Sequence, residues 1–144
     1  MNNAYEIPTE SNEAPWSAGV VIVKKFEKEW KFLSLVTASG KYDITKGIVE
    51  PGEKDIEAAI REAYEEAGIS LSHSDFIWGD DFISYGRGIA YLAATEQFAK
   101  VSPNPVTGIR EHEYAKWVSF EIMLENTIKF LKPSIIWAFS KING

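Results

Sequence analysis

At 144 residues, 45% hydrophobic and 13% aromatic, the chain suits one domain with a single core and is far from a disordered composition. It has no cysteine, which excludes disulfides and thiolate metal sites, and no apolar run approaches the roughly 18 residues of a membrane span. A net charge of −6 without a Lys/Arg block argues against a long nucleic acid as partner, though not against a small polyanion bound through metal.

In chain order, residues 1–15 read as a loose polar tail, without the basic-then-apolar build of a signal peptide, so a cytoplasmic protein is expected, monomer or homodimer. Ser17–Lys25 (SAGVVIVKK) is short and β-branched, a buried strand, and Lys31–Ala38 is its hairpin partner across FEKEW. Lys24, Lys25, Lys28 and Lys31 alternate with Glu27 and Glu29, as in a solvated turn. Ser39–Gly47 is turn-rich. A helix is predicted from Lys54 to Ala67, with Gly68 just past its end. Strands are predicted over Phe76–Tyr85 and Gly88–Glu96, followed by a proline-rich loop, Val101–Gly108, and a short strand, Ala115–Val118. Ser119 caps a helix through Leu131, and Pro133 starts another that carries Ile135, Ile136 and Phe139. Strands mixed with a central and a terminal helix indicate one α/β or α+β sandwich over residues 1–144.

On the predicted central helix, Ile56, Ala59, Ile60, Ala63 and Ala67 form one apolar stripe. Glu62 and Glu66 flank it one turn apart with Glu65 beside them, and Arg61 is four residues before Glu65, within pairing reach. Like charges at this spacing repel, and they lie near the helix C-terminus, where the dipole disfavours anions. A solvated acidic face is one explanation. The other is a bound cation: carboxylate oxygens without Cys or clustered His suit a hard ion, magnesium or manganese.

The longer stretch KGIVEPGEKDIEAAIREAYEEAGI, Lys46–Ile69, weighs between the two. From Gly47, five residues lead to Glu53 and seven more to Arg61-Glu62, then Ala63, one residue, Glu65-Glu66, one residue, Gly68 and Ile69. At every specified position this resembles the signature of the Nudix hydrolases. The resemblance implies an α/β/α sandwich with a mixed β-sheet, and hydrolysis of a phosphoanhydride by attack of water on phosphorus. It assigns Glu62, Glu65 and Glu66 to metal binding, with the backbone carbonyl of Gly47. It makes Arg61 a structural arginine that fixes Glu53 or Glu65, and Glu53 an orienting group. Gly47 and Gly52 then serve the tight turn before the helix.

Within the family, YDITKGIVEPGE resembles the segment WTPPKGHVEPGE of asymmetric diadenosine tetraphosphate hydrolases, with Tyr42 for Trp, Thr45 for Pro and Ile48 for His. Lys46 then matches a phosphate contact, and Tyr42 and His112 are further substrate-binding candidates. GIAYLAA resembles the strand whose tyrosine stacks on adenine, which would be Tyr91; a core tyrosine is the alternative. REHEYAKW resembles a late EHQAYRW segment, so that Glu111 joins the metal site or acts as base and His112 adjoins it; a register slip of two would put Glu113 in that role. The implied reaction is magnesium-dependent cleavage of diadenosine tetraphosphate to ATP and AMP. RNA 5′-triphosphate ends, nucleoside triphosphates, ADP-ribose and diphosphoinositol polyphosphates are the alternative substrates. A nucleotide-binding sensor that has lost turnover is the alternative of a different class, and Glu66→Gln discriminates it from an enzyme.

Overall fold

The computed structural model describes residues 16–103 and 107–144. The expected tail over 1–15 and residues 104–106 of the proline-rich loop lie outside these. Seven strands and three α-helices follow in chain order among the described residues: β1 (Ser17–Phe26), β2 (Glu29–Val36), β3 (Tyr42–Asp43), β4 (Thr45–Ile48), α1 (Asp55–Ala67), β5 (Ile83–Tyr85), β6 (Gly88–Ala94), β7 (Tyr114–Val118), α2 (Phe120–Asn126) and α3 (Lys132–Asn143).

β1 organises the sheet because it pairs with three strands. Its last residues pair antiparallel with β2, Val23↔Phe32 through Phe26↔Glu29, and its first residues pair antiparallel with β4, Ser17↔Ile48 through Val20↔Thr45. Along its other edge it runs parallel to β6, which carries β5. β3 joins β2 beyond the point where β1 leaves it, and β7 pairs along the opposite side of β2. The β1–β4 approach is close: a Cβ on Gly19 would lie 2.5 Å from the Thr45 carbonyl oxygen, so this register admits only glycine without a shift.

Alternation along β1 divides the core in two. Ala18, Val20 and Ile22 face α1, whose buried Ala58, Ala59, Ala63 and Ala67 let the helix lie close on the sheet. Val21 and Val23 face the opposite layer, where Met123, Leu131, Ile135 and Ala138 cover them. Each fully buried large aliphatic contributes roughly 1.5–3 kcal/mol. The expected α/β/α sandwich with a mixed sheet is what the chain forms.

Local differences have identifiable causes. Ser39–Gly47, expected as turn, contains β3 and most of β4, because β2 and β1 respectively offer open edges to residues that are weak strand formers alone. The strand expected over Phe76–Tyr85 is only Ile83–Tyr85; a 3-10 turn at His73–Asp75 precedes it. α2 stops at Asn126 instead of Leu131. There Thr127 turns extended, its hydroxyl bonds back to the Met123 carbonyl, and Ile128 donates its N–H to the Tyr42 carbonyl at 2.9 Å, so the sheet edge takes the chain from the helix. On α1, Ala58 is fully buried, while Ile56 and Ile60 are only half-buried at the rim of the core. Among the described residues no helix is long and apolar enough to cross a membrane.

Candidate active site

β4 leads into a tight loop and then α1, which packs back across β4. α1 ends where Gly68 adopts a left-handed conformation (φ 68°) and donates its N–H to the Tyr64 carbonyl at 2.9 Å. Glu62, Glu65 and Glu66 therefore occupy its last two turns, with no basic residue in the last turn to offset them.

Two contacts press this acidic end onto β4. Glu66 Oε1 accepts the Lys46 N–H at 3.0 Å. The Glu62 carboxylate lies on the Gly47 backbone, so closely that a Cβ at position 47 would sit 2.1 Å from Glu62 Oε2. A side chain at 47 would therefore push the Glu62 carboxylate off this position.

Arg61 ties the loop to the helix. Its Nε donates to Glu53 Oε2 at 2.8 Å and its Nη2 to Glu53 Oε1 at 3.1 Å, a bidentate pair, and Nη2 also reaches the Ile48 carbonyl at 2.9 Å. Nη1 donates to Glu62 Oε2 at 3.1 Å and to Glu65 Oε1 at 3.2 Å. The hydrogen bond from Arg61 holds the Glu53 carboxyl below its ordinary value, and the same bond with the charges of Glu62 and Glu65 raises the arginine further. Arg61 thus fixes Glu53 and also touches Glu65, the two options the sequence left open.

The remaining electrostatics run against ionisation. Burial pushes the Glu66 carboxyl up to about 9; the Lys46 N–H opposes this, and the charges of Glu62 and Asp43 add to it. Burial likewise raises Glu62, with Arg61 opposing and Glu65 and Glu111 adding. Glu111 stands exposed across a cleft of about 450 Å³ whose walls carry Lys46, Gly47 and the three α1 carboxylates. An all-oxygen donor set with one carboxyl whose charge is this poorly compensated fits a hard divalent cation. Among the described residues, no three such side chains already converge into a cage, because Glu62 and Glu65 are turned onto Arg61.

His112 is brought to this region, but as a buried group, 5% exposed, with Nε2 3.1 Å from Asp43 Oδ2; Lys46 Nζ lies 3.2 Å from the same oxygen. Burial disfavours the charged Asp43 carboxyl, yet the hydrogen bond from His112 and the charge of Lys46 outweigh it and hold the group below its ordinary value. Sequence reasoning missed Asp43. Its one local signal was an acidic residue three before Lys46, and its histidine partner is 69 residues away. The Tyr85 hydroxyl bonds Ser17 Oγ at 2.8 Å, and burial pushes it up to about 12, with the charges of Asp43 and Glu66 adding.

Tyr42 and Tyr91, both expected at the substrate, are buried and lie away from the acidic cleft, Tyr91 at the edge of a separate cleft of about 630 Å³. Tyr42 is 7% exposed and packs in the layer of α2 and α3, under Lys116 at 5.5 Å from its ring. Tyr91 is 3% exposed, edge-on to Phe76 and Phe82, and its hydroxyl donates to Asp55 Oδ1 at 2.8 Å. Neither lines the acidic cleft. Glu113 is exposed and starts β7 through its N–H, which reaches the Val36 carbonyl at 2.7 Å.

Comparison with known proteins covers most of the chain. The NUDIX domain family model matches residues 14–138. The asymmetrical bis(5′-nucleosyl)-tetraphosphatase of Sus scrofa is 45% identical over 100 residues, 63% of this chain and 65% of that protein. The enzyme of the same name from Mus musculus is 34% identical over 102 residues, with the same coverage. The chain therefore spans just under two thirds of the length of these curated relatives. Among solved structures, a binary complex of the C. elegans Ap4A hydrolase superposes with a TM-score of 0.65 at 27% identity, covering 88% of this chain and 96% of that one.

Proposed function

The chain belongs to the NUDIX domain family, and on that premise we propose that it hydrolyses a phosphoanhydride bond in a nucleoside polyphosphate, preferring a dinucleoside tetraphosphate that it splits asymmetrically. The observation that carries this reading is the acidic end of α1 pressed onto Gly47 and the Lys46 N–H, at a cleft that Glu111 also lines. The names borne by the pig, mouse and C. elegans relatives support the choice of substrate class.

Glu62, Glu65, Glu66 and Glu111, with the Gly47 carbonyl, would hold magnesium or manganese. Such an ion, when bound, supplies neutralisation of phosphate charge and a more acidic water. The chain's own residues do the rest. Arg61, locked on Glu53 and Ile48, keeps Glu62 and Glu65 at the cleft wall instead of in solvent. The Lys46 ammonium takes a phosphate oxygen of the nucleotide. Glu111, exposed at the cleft, accepts a proton from the water that attacks phosphorus. The bridging P–O bond breaks, and diadenosine tetraphosphate leaves as ATP and AMP.

A substrate panel with magnesium, read by chromatography, tests this. Expected is ATP plus AMP from diadenosine tetraphosphate, with weaker turnover of nucleoside triphosphates, ADP-ribose and RNA 5′-triphosphate ends. Faster cleavage of any of the latter three overturns the substrate class. No phosphate-containing product from any of them overturns hydrolysis and leaves the sensor reading.

A further inference from the structure

A single carboxylate joins two parts of the cleft that lie far apart in sequence. Asp43 Oδ2 accepts from Lys46 Nζ at 3.2 Å and lies 3.1 Å from His112 Nε2, while Oδ1 accepts the Ile44 N–H at 2.8 Å. Both side chains are buried, Asp43 at 8% and His112 at 5% exposure. The hydrogen bond and nearby charge keep Asp43 ionised, so its oxygens only accept, and the imidazole must carry its proton on Nε2.

We propose that Asp43 is a positioning residue of the hydrolytic cleft: it ties His112, and with it the backbone from which Glu111 projects, to the strand that carries Lys46. The role rests on the hydrolase reading of the cleft. β3 and β7 flank the last residue of β2 from opposite sides, Tyr42↔Val36 and Tyr114↔Val36, and the Asp43–His112 bond adds a side-chain link across them. The segment leading into β7 needs it. Ile109, Arg110 and Glu111 are exposed, and His112 is the residue there that is buried. A buried carboxylate also costs several kcal/mol to desolvate unless paired, and an apolar side chain would fill the space at less cost. What the carboxylate adds is a fixed position for two charged groups that serve the same reaction, Lys46 at a phosphate oxygen and Glu111 at the water that attacks phosphorus.

Because the chain has two histidines, the His112 ring can be followed by long-range 1H–15N NMR against His73 alone. In the wild type, a slowly exchanging Nε2 proton is expected at His112. Asp43→Ala should lose it, and Asp43→Asn, whose single amide oxygen can serve His112 only by turning its NH2 onto the Ile44 N–H, should keep it only in part. On diadenosine tetraphosphate with magnesium, Asp43→Ala should lower kcat about 10- to 100-fold and Asp43→Asn should recover only part of that loss. In a Glu111→Gln background the same Asp43→Ala change should cost kcat less than about threefold, because the group it positions is already gone, while KM rises alike in both backgrounds through Lys46. If Asp43→Ala fails to fold, His112→Ala breaks the tie from the other side and should show the same dependence on Glu111. An equal kcat loss in both backgrounds, or a His112 proton unmoved by Asp43→Ala in an active enzyme, overturns the positioning role alone. Absence of turnover by the wild type overturns the hydrolase reading, and this role with it.

Discussion

Charge is buried at both ends of β1, and the two ends treat it differently. At the far end, Lys24 is 9% exposed; its ammonium donates to the Glu96 carbonyl and lies 4.5 Å from the Phe98 ring centroid and 5.7 Å from that of Phe26. A cation so placed has an acceptor and two π faces. At the near end, Glu66 has one backbone N–H and, among the described residues, no salt bridge, and burial drives its carboxyl to about 9. The cleft beside Lys24, about 680 Å³, is larger than the acidic one, about 450 Å³. Size therefore does not mark the site. A buried charge that its own fold fails to serve does.

The largest expected effect breaks that asymmetry directly. Glu66→Gln keeps an acceptor for the Lys46 N–H and removes the charge. Turnover should fall by ~10³-fold, the scale of losing several kcal/mol of charge stabilisation at phosphate. With metal chelated, the variant should melt above the wild type at alkaline pH. The folded carboxyl sits at about 9 against an ordinary 4.5, so its contribution to stability is complete below 4.5 and is lost as pH rises through 9. Thermal melts of the metal-free proteins across that range check the sign; a wild type that is as stable as the variant at the alkaline end would show that the charge is already served.

The next effect separates a close approach of function from one of packing. Gly47→Ala drives a Cβ to 2.1 Å from Glu62 Oε2, and that carboxylate is 12% exposed and held by Arg61. Steady-state kinetics should show a loss of about 10- to 100-fold, as when an orienting contact is removed, with little change in melting temperature. Gly19→Ala meets the Thr45 backbone carbonyl instead, at 2.5 Å, and should cost about 1–3 kcal/mol of stability. Equal damage to stability from both changes would remove the distinction.

How much of this was legible in the chain follows from distance along it. The Glu62–Glu66 flank and the Gly68 stop lie within or just past α1, where helical spacing relates them, and the Glu53–Arg61 pair was one of two options that the family signature implied. β4 was not legible, because its Lys and Gly read as turn residues and its strand state depends on an edge of β1. Asp43 was invisible for the same reason: the histidine that gives it a purpose comes from the start of β7. For Tyr91, the family pattern pointed to substrate with a core tyrosine as the alternative, and the ring lies edge-on to Phe76 and Phe82.

At the far end of β1, Lys24→Met should lose about 1–2 kcal/mol by urea denaturation, since the Glu96 carbonyl forfeits its donor and the rings their cation. Turnover should not change. A fall in kcat would mean that the two ends of β1 are coupled, and the contrast between them would fail.

The smallest effect concerns a residue that belongs to neither end. Tyr91→Phe keeps the ring among Phe76, Phe82 and the α1 face and deletes only the hydroxyl that donates to Asp55 at 2.8 Å. Asp55 is half-buried and still accepts the Ile56 N–H at 2.7 Å, so its carboxylate is not stranded. The loss should be about 1 kcal/mol, the worth of one ordinary hydrogen bond. KM for a dinucleoside tetraphosphate should stay within about twofold, because the ring is 3% exposed and does not line the acidic cleft. A KM that rises tenfold, with stability unchanged, would put the hydroxyl against substrate and show that this corner of the fold opens in the working enzyme.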